Sequence, residues 1–527
     1  MAFARKASGL VRDVSARTAA MWNIGFLNFA IGAMVVWEWG IFVAPNADIY
    51  TGSIIAMIGG CALSAVYGLF TAAMPRSGGD YVFTSRNLHP VLGFTVSWSG
   101  LIWILYLVGG IAYVTSVSFL PFMLQMLGYG TIAEMLVTPT WTFIDSMAIM
   151  VLAFLLLSFG MKIYMKVTWV IFIFSVAMVL IVLGLFATAG QAGFAGGFNT
   201  AAGSATAYQD VLTNASKEGF TMGDATMATF FGMLPVLVWP IGWGGSGPSY
   251  IAGEIKDAHK VRSSLYVMCT TVVVMTVFVM LMTYFLDITA GRQWLSSLIY
   301  LYMTGSKSYP VASEPHYGYL TSLLTSNPIL LFVLGAAWVL LGFNTVCINM
   351  LLPTRYMFAW SFDRLLPKSV TYVHPRLHSP IVANLIALVV GIVFFWLVYF
   401  SNLPWIGSLR LIMGNSTTGI LIGFGIVALA GALLPYLRKD FYERSNIKIK
   451  VGPVPLITLV GVLAIIYLIW NEAMFIWYTP LGTNMPMPLA FSFIMTFSGI
   501  PIYYVIKYLN KRRGIDIGLL YREVPPA

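Results

Sequence analysis

Trp239-Pro-Ile-Gly-Trp-Gly-Gly-Ser-Gly-Pro-Ser249 (WPIGWGGSGPS) packs four glycines and two prolines into eleven residues of an otherwise apolar run. Within a helix each glycine costs about 1 kcal/mol against alanine, and an interior proline about 3 kcal/mol. The segment therefore predicts a helix interrupted partway, with carbonyls freed before the break and amides freed after it. Pro248 is suited to restart a helix at its first position.

The surroundings say what kind of helix is broken. The chain has 527 residues, 59% hydrophobic and 9% charged, where a soluble domain carries about 25% charged residues. So few charges cannot cover a water-facing surface. A bilayer core needs about 20 apolar residues of helix. Stretches without Asp, Glu, Lys or Arg run over 87–133, 167–209, 225–253, 263–286, 315–354, 377–409 and 411–437; 146–161 is shorter. The expected spans are 20–44, 50–73, 93–125, 143–160, 166–189, 228–256, 263–287, 329–358, 380–401, 409–435, 454–478 and 485–509. Helices are expected because lipid leaves unpaired backbone unsatisfied. The fold class is an all-α polytopic membrane protein of about twelve transmembrane helices.

The net charge of +10 raises the question of nucleic acid, but the placement of the charges answers it. With the N-terminus inside, 25 of the 29 Lys and Arg fall on the inner side, leaving only Lys217, Arg292, Lys307 and Arg410 outside. This is the positive-inside asymmetry of a membrane protein, with both termini cytoplasmic at the cell membrane. The basic start, FARKASGLVRDVSAR, is read as orienting charge, with an interfacial helix as the alternative. No A-x-A-like site follows, so the first helix is expected to be retained. Cys61, Cys269 and Cys347 all fall in spans and are too few for a disulfide framework.

A second segment, Val35-Val-Trp-Glu-Trp-Gly-Ile-Phe42, holds the only acid or base between Thr18 and Ala47. A charge at mid-bilayer costs at least about 2.5–3.5 kcal/mol. It survives facing a wet cavity, carrying a proton or paired with a cation. Glu38 is thus expected to face a pocket, where it binds a substrate ammonium or exchanges a coupling proton; the alternative is a shifted span with Glu38 at an interface. Breaks near Gly40 and Gly242 would open two halves of a five-plus-five repeat, and paired interrupted spans point to a transporter site at the midplane. The expected units are a tail, 1–19; repeat one, 20–190; repeat two, 228–436; two further helices, 450–510; and a tail, 511–527. The longest outer loops are expected at 190–227 and 288–328, as lids or connectors.

Four stretches together resemble the amino acid–polyamine–organocation (APC) superfamily of transporters, amino acid permease type. Glu38-Trp-Gly-Ile-Phe-Val-Ala-Pro45 resembles I-G-S-G-I-F-x-x-P. Pro75-Arg-Ser-Gly-Gly-Asp-Tyr-Val-Phe83, with Gly93-Phe94 and Trp98, resembles P-x-x-G-G-x-Y. Ala252-Gly-Glu-Ile-Lys256 resembles A-E-E-x-K. Arg355-Tyr-Met-Phe-Ala-Trp-Ser-Phe-Asp-Arg-Leu-Leu-Pro367, then His374-Pro375 and Pro380, resembles R-x-x-x-A-x-x-R-D-G-x-L-P. The resemblance implies a five-plus-five inverted repeat with broken helices one and six. It also implies uptake or exchange of amino acids or related amines by alternating access. Departures stand at Glu38, Trp39, Gly244-Gly-Ser246 and Phe362-Asp-Arg364, so the pocket should be lined differently.

The expected substrate ligands are Val36, Glu38, Trp39, Gly40, Trp239, Ile241, Gly242, Trp243, Gly244, Trp103 and Asn349. A half-helix starting near Trp39–Ile41 would offer amides to a carboxylate. Carbonyls around Trp239, Ile241 and Gly242 would take the ammonium. Glu38, Asn344 and Thr345 are the candidates for a coupling proton or ion, H⁺ or Na⁺. Thr345 and Asn349 share a helix face, with helix packing as the alternative. Asn415–Thr418 is read the same way, and Glu472 as structural or as an oligomer contact. No lysine lies within 167–190, which speaks against a lysine-borne proton.

Gly242, Gly244 and Gly247 match the dinucleotide pattern G-x-G-x-x-G, but no strand or βαβ unit surrounds them. His89, His259, His316, His374 and His378 all fall on loops, and Pro375 disrupts the helix that would bring the last two together on a metal. No cofactor is expected. A membrane-embedded enzyme and a channel remain the competing classes.

Overall fold

A computed structural model describes residues 10–400 and 409–522. Arg5, Lys6, residue 401 at the expected end of span nine and residues 523–527 of the last tail lie outside the described residues, as does the side chain of Arg410.

Among the described residues eleven helices are long and apolar enough to cross a membrane. They are Ala16–Val43, Ile49–Ala73, Pro90–Met126, Pro139–Ser158, Met161–Ala202, Val261–Thr289, Pro328–Phe362, Ile381–Phe400, Leu409–Leu437, Leu456–Trp477 and Pro486–Arg512. The shorter apolar helix Met227–Gly242 lies between the fifth and the sixth of these. Counting it as span six, the spans are numbered one to twelve below. Among the described residues the strands are two residues each, Lys450–Val451 and Val454–Pro455.

Local chemistry sets the ends. Asp48 caps span two by accepting from the amides of Tyr50 and Thr51, and Asn327 caps span eight through Ile329 and Leu330. Thr226 and Thr229 form a capping box at the start of span six. Each satisfies amides that a helix start leaves open. Spans three, four, eight and twelve begin on a proline at a first-turn position, where its missing N–H costs nothing.

Two expectations about connections change. Residues 190–227 are largely helical: span five bends at Gly190, φ 60°, and continues to Ala202, and Ala207–Lys217 follows. The second outer segment also folds, as Arg292–Met303 and Tyr317–Ser322.

Packing follows a pattern. Span one lies on span seven, and span six on span two. Span three lies on spans nine and ten; span eight lies on spans four and five. Spans two and seven pack together, as do three and eight. Large apolar side chains such as Leu152, Ile173, Leu180, Trp396, Ile466 and Ile469 face outward, as lipid-facing positions require.

At the end carrying the predicted inner loops, buried ion pairs tie the bundle. Arg355 Nε lies 2.9 Å from Glu254 Oε1, and Arg86 Nη1 lies 2.7 Å from Asp363 Oδ2. The backbone of Val14 bonds on both sides of this end of span six, to Glu254 O and from Lys256 N.

Candidate solute site

Span one is broken, but ten residues before the expected place. Its first helix ends at Leu27 and a second begins at Ile31. Asn28 sits at the junction with φ 63°, a conformation asparagine tolerates better than most residues. Its Oδ1 accepts from the amides of Ala30 (2.7 Å) and Ile31 (3.1 Å), while its Nδ2 donates to Leu341 O and Thr345 Oγ1 of span eight. One amide side chain thus caps the new half-helix and ties the break to span eight.

The expected break at Glu38 is not one. Val36–Gly40 is a single π-helical turn continuing from Val35 and leading into Ile41–Val43. Gly40 serves a close approach there: a Cβ would meet Met233 Sδ at 2.9 Å.

Span six breaks where its composition predicts. Met227–Leu237 gives way to a π turn, Val238–Gly242, and then to non-helical backbone. Gly244 has φ +66°, which glycine adopts without steric penalty. Gly245 is held from both sides: its N–H donates to Ser64 Oγ (2.7 Å) and its carbonyl accepts from Asn23 Nδ2 (3.1 Å). Beyond the break the chain runs as two short 3-10 turns, Gly247–Ser249 and Ala252–Glu254, rather than as a restarted α-helix on Pro248.

The two breaks meet at one cavity, part of it open. Span one contributes Phe26–Asn28, Ile31 and Gly32; span six contributes Trp239 and Trp243, with Tyr250 beyond it. Spans three, eight and ten close the wall, with Ile104, Thr345, Asn349, Tyr356 and Phe424 among the lining residues. Trp239 and Trp243 meet edge to face, and Trp243 meets Phe424 likewise.

The cavity's formal charge is Asp80. It lies in the first turn of the helix Gly79–Asn87, between spans two and three, and is 3% exposed. Gly78 (φ +108°) and Gly79 (φ +38°) press this turn inward; a Cβ on Gly78 would come 2.7 Å from Ala359 Cβ. Asp80 Oδ2 accepts hydrogen bonds from Tyr250 (3.0 Å) and from Tyr356. Burial pushes the Asp80 carboxyl up, and the hydroxyls of Tyr356, Tyr67 and Tyr250 beside it oppose that.

Of the expected ligands, Trp239, Trp243 and Asn349 line the cavity, as does Thr345. The others sit elsewhere. Val36, Glu38, Trp39 and Gly40 are one helical stretch away, and Glu38 lies beside Glu314 and near Tyr302 and Tyr309 of the outer segment. The Ile241 carbonyl lies against Gly60 of span two, Gly242 against the Tyr467 hydroxyl, and Gly244 against Ser64. Trp103 turns away toward span twelve, donating to Thr496 Oγ1 (3.0 Å). Asn344 Oδ1 accepts from Tyr164 (3.3 Å) beside a small separate void between spans one, five and eight. The residues the sequence did not single out are Asn28, Asp80, Tyr250 and Tyr356. Asp80 lay in a quoted motif, Pro75–Phe83, but on a loop helix, outside a search for acids within spans.

Residues 24–500 match the family model described as amino acid permease. A comparison with curated proteins finds no match.

Proposed function

Because the chain belongs to the amino acid permease family, a family of membrane transporters of amino acids, we propose that it is a secondary carrier working by alternating access. Its solute, an amino acid or related amine, sits where spans one and six are broken. The observation that carries this is the single cavity reached by both breaks.

The packing pattern supports two exchangeable halves. Exchanging spans one to five with six to ten turns each named contact into another or into itself: one on seven becomes six on two, three on nine becomes eight on four, and two on seven is unchanged. Such a pair of repeats rocking about a central site is the usual basis of alternating access. The charge asymmetry supports a reading with both termini on the cytoplasmic side of the cell membrane.

Thr345 and Asn344 are engaged by Asn28 and Tyr164, so they act as ties between spans before any ion does. Glu38, beside Glu314 and away from the cavity, is a candidate proton carrier rather than a solute ligand.

Counterflow in proteoliposomes tests the reading. Vesicles preloaded with an unlabelled amino acid or amine should accumulate the labelled form transiently. Equal rates with and without internal solute, across a panel of amino acids and amines, would indicate a channel or no transport at all.

A further inference from the structure

We propose that Asp80 is the cation-binding end of the cavity, so that the protein selects solutes joining a positively charged amine to an apolar body. This rests on the carrier reading above and goes beyond it by naming the group that recognises the solute's charge.

Asp80 lines the cavity, and among the described residues no Lys, Arg or His lines it with Asp80. Its Oδ2 takes two tyrosine hydroxyls, while Oδ1 is buried with no hydrogen-bond partner. Tyr67, close by, also has a hydroxyl without a partner. A buried carboxylate with an unused oxygen is costly unless a cation or donor meets it. Two buried guanidinium groups at this end of the molecule are directed to other acids, Arg86 to Asp363 and Arg355 to Glu254, and Arg76 and Arg438 donate to the carbonyls of Pro75 and Arg86. No protein ion pair is formed by Asp80 among the described residues.

The rest of the wall fits the other end of such a solute. Phe26, Ile31, Trp239, Trp243 and Phe424 offer apolar and aromatic surface, which suits a hydrocarbon side chain and attracts an ammonium at ring faces. For the opposite charge, the buried indole N–H of Trp239 is without a partner, but the half-helix amides are taken. The Ala30 and Ile31 amides, the start of the second half of span one, are already bonded to Asn28 Oδ1. The solute's ammonium therefore contributes more to recognition than its carboxylate.

The test uses the full chain, with probes matched in their apolar part: phenylalanine, 2-phenylethylamine and 3-phenylpropanoate, and leucine, isoamylamine and 4-methylpentanoate. Binding is read as thermal stabilisation in detergent, transport as counterflow in proteoliposomes. In the wild type, amines and amino acids should stabilise and exchange, and the carboxylates should not. Asp80→Asn should raise the half-saturating concentration of the amines by at least about tenfold, while Asp80→Glu, which keeps the charge, should retain the amine-over-carboxylate ranking. Unfolding midpoints without ligand separate a folding defect from a binding defect, and the Glu variant carries the test if the Asn variant does not fold. Unchanged amine binding in a folded Asp80→Asn protein would overturn the proposal. So would loss of pH dependence alone, which would make Asp80 a proton site, or a wild type that prefers the carboxylates. A wild type that exchanges none of the panel instead refutes the carrier reading, whatever Asp80 does in binding.

Discussion

Single side chains decide where water and charge are allowed in this molecule. His316 is a clear case outside the spans. Its ring lies 4.5 Å from Phe122 and 4.4 Å from Trp338, and its Nδ1 accepts from the amide of Tyr319. Burial pushes its pKa down to about 3. The folded state holds the neutral ring while the unfolded chain protonates near 6.5. The stability it contributes is therefore complete above about pH 6.5 and is lost as pH falls toward 3, by up to about 1.4 kcal/mol per pH unit. His316→Asn keeps a helix-capping acceptor and removes the titration, so the unfolding midpoint of the variant should fall less steeply from pH 7 to pH 4.5. At Glu38 the neighbour is another carboxylate, Glu314, and two such groups repel unless a proton or cation lies between them. Glu38→Gln is expected to alter the pH dependence of exchange while leaving the half-saturating solute concentration within about twofold; a much larger change there would return Glu38 to the solute site. The same residue shows what the sequence hides. An acid between two tryptophans looks like a pocket residue, yet the backbone there is one continuous turn. The true break is a lone asparagine, without the glycine and proline signals that make a break readable.

At the level of the helices, legibility followed composition. Charge-free runs marked the spans because lipid demands them, and the glycines and prolines of span six marked its break because a helix cannot absorb them. What could not be read was which face of a broken span meets the cavity. Trp239 and Trp243 face it, while Ile241 and Gly242 face spans two and eleven. Gly242 is where the difference becomes measurable. A Cβ there would lie 2.0 Å from the Tyr467 hydroxyl oxygen, and overpacking of this kind costs about 1–3 kcal/mol. Gly242→Ala should lower the unfolding midpoint and slow exchange, and adding Tyr467→Phe should recover part of both. No recovery would mean that span eleven does not brace the break. The Glu254–Arg355 pair ties the segment beyond span six to span eight, both side chains being almost fully buried. Removing one partner of a buried pair costs about 3–5 kcal/mol, whereas replacing both with apolar groups is often neutral. Glu254→Leu is thus expected to destabilise more than Glu254→Leu combined with Arg355→Met, read as unfolding midpoints in one detergent.

Across the whole molecule, the proposed carrier rests on two broken helices, one cavity and a packing pattern that survives exchange of its halves. The buried ion pairs at the inner end would have to separate, or travel with their helices, for the cavity to open there. The most direct measurement is side-specific labelling of one cavity position. Cys61, Cys269 and Cys347 are replaced, Ile420, which lines the cavity, becomes cysteine, and a membrane-impermeant maleimide is applied to sealed vesicles from either side. Labelling from each side, slowed by a transported amino acid or amine, is the predicted result. Labelling from one side only, or at a rate that no exchanged solute alters, would contradict alternating access at this cavity.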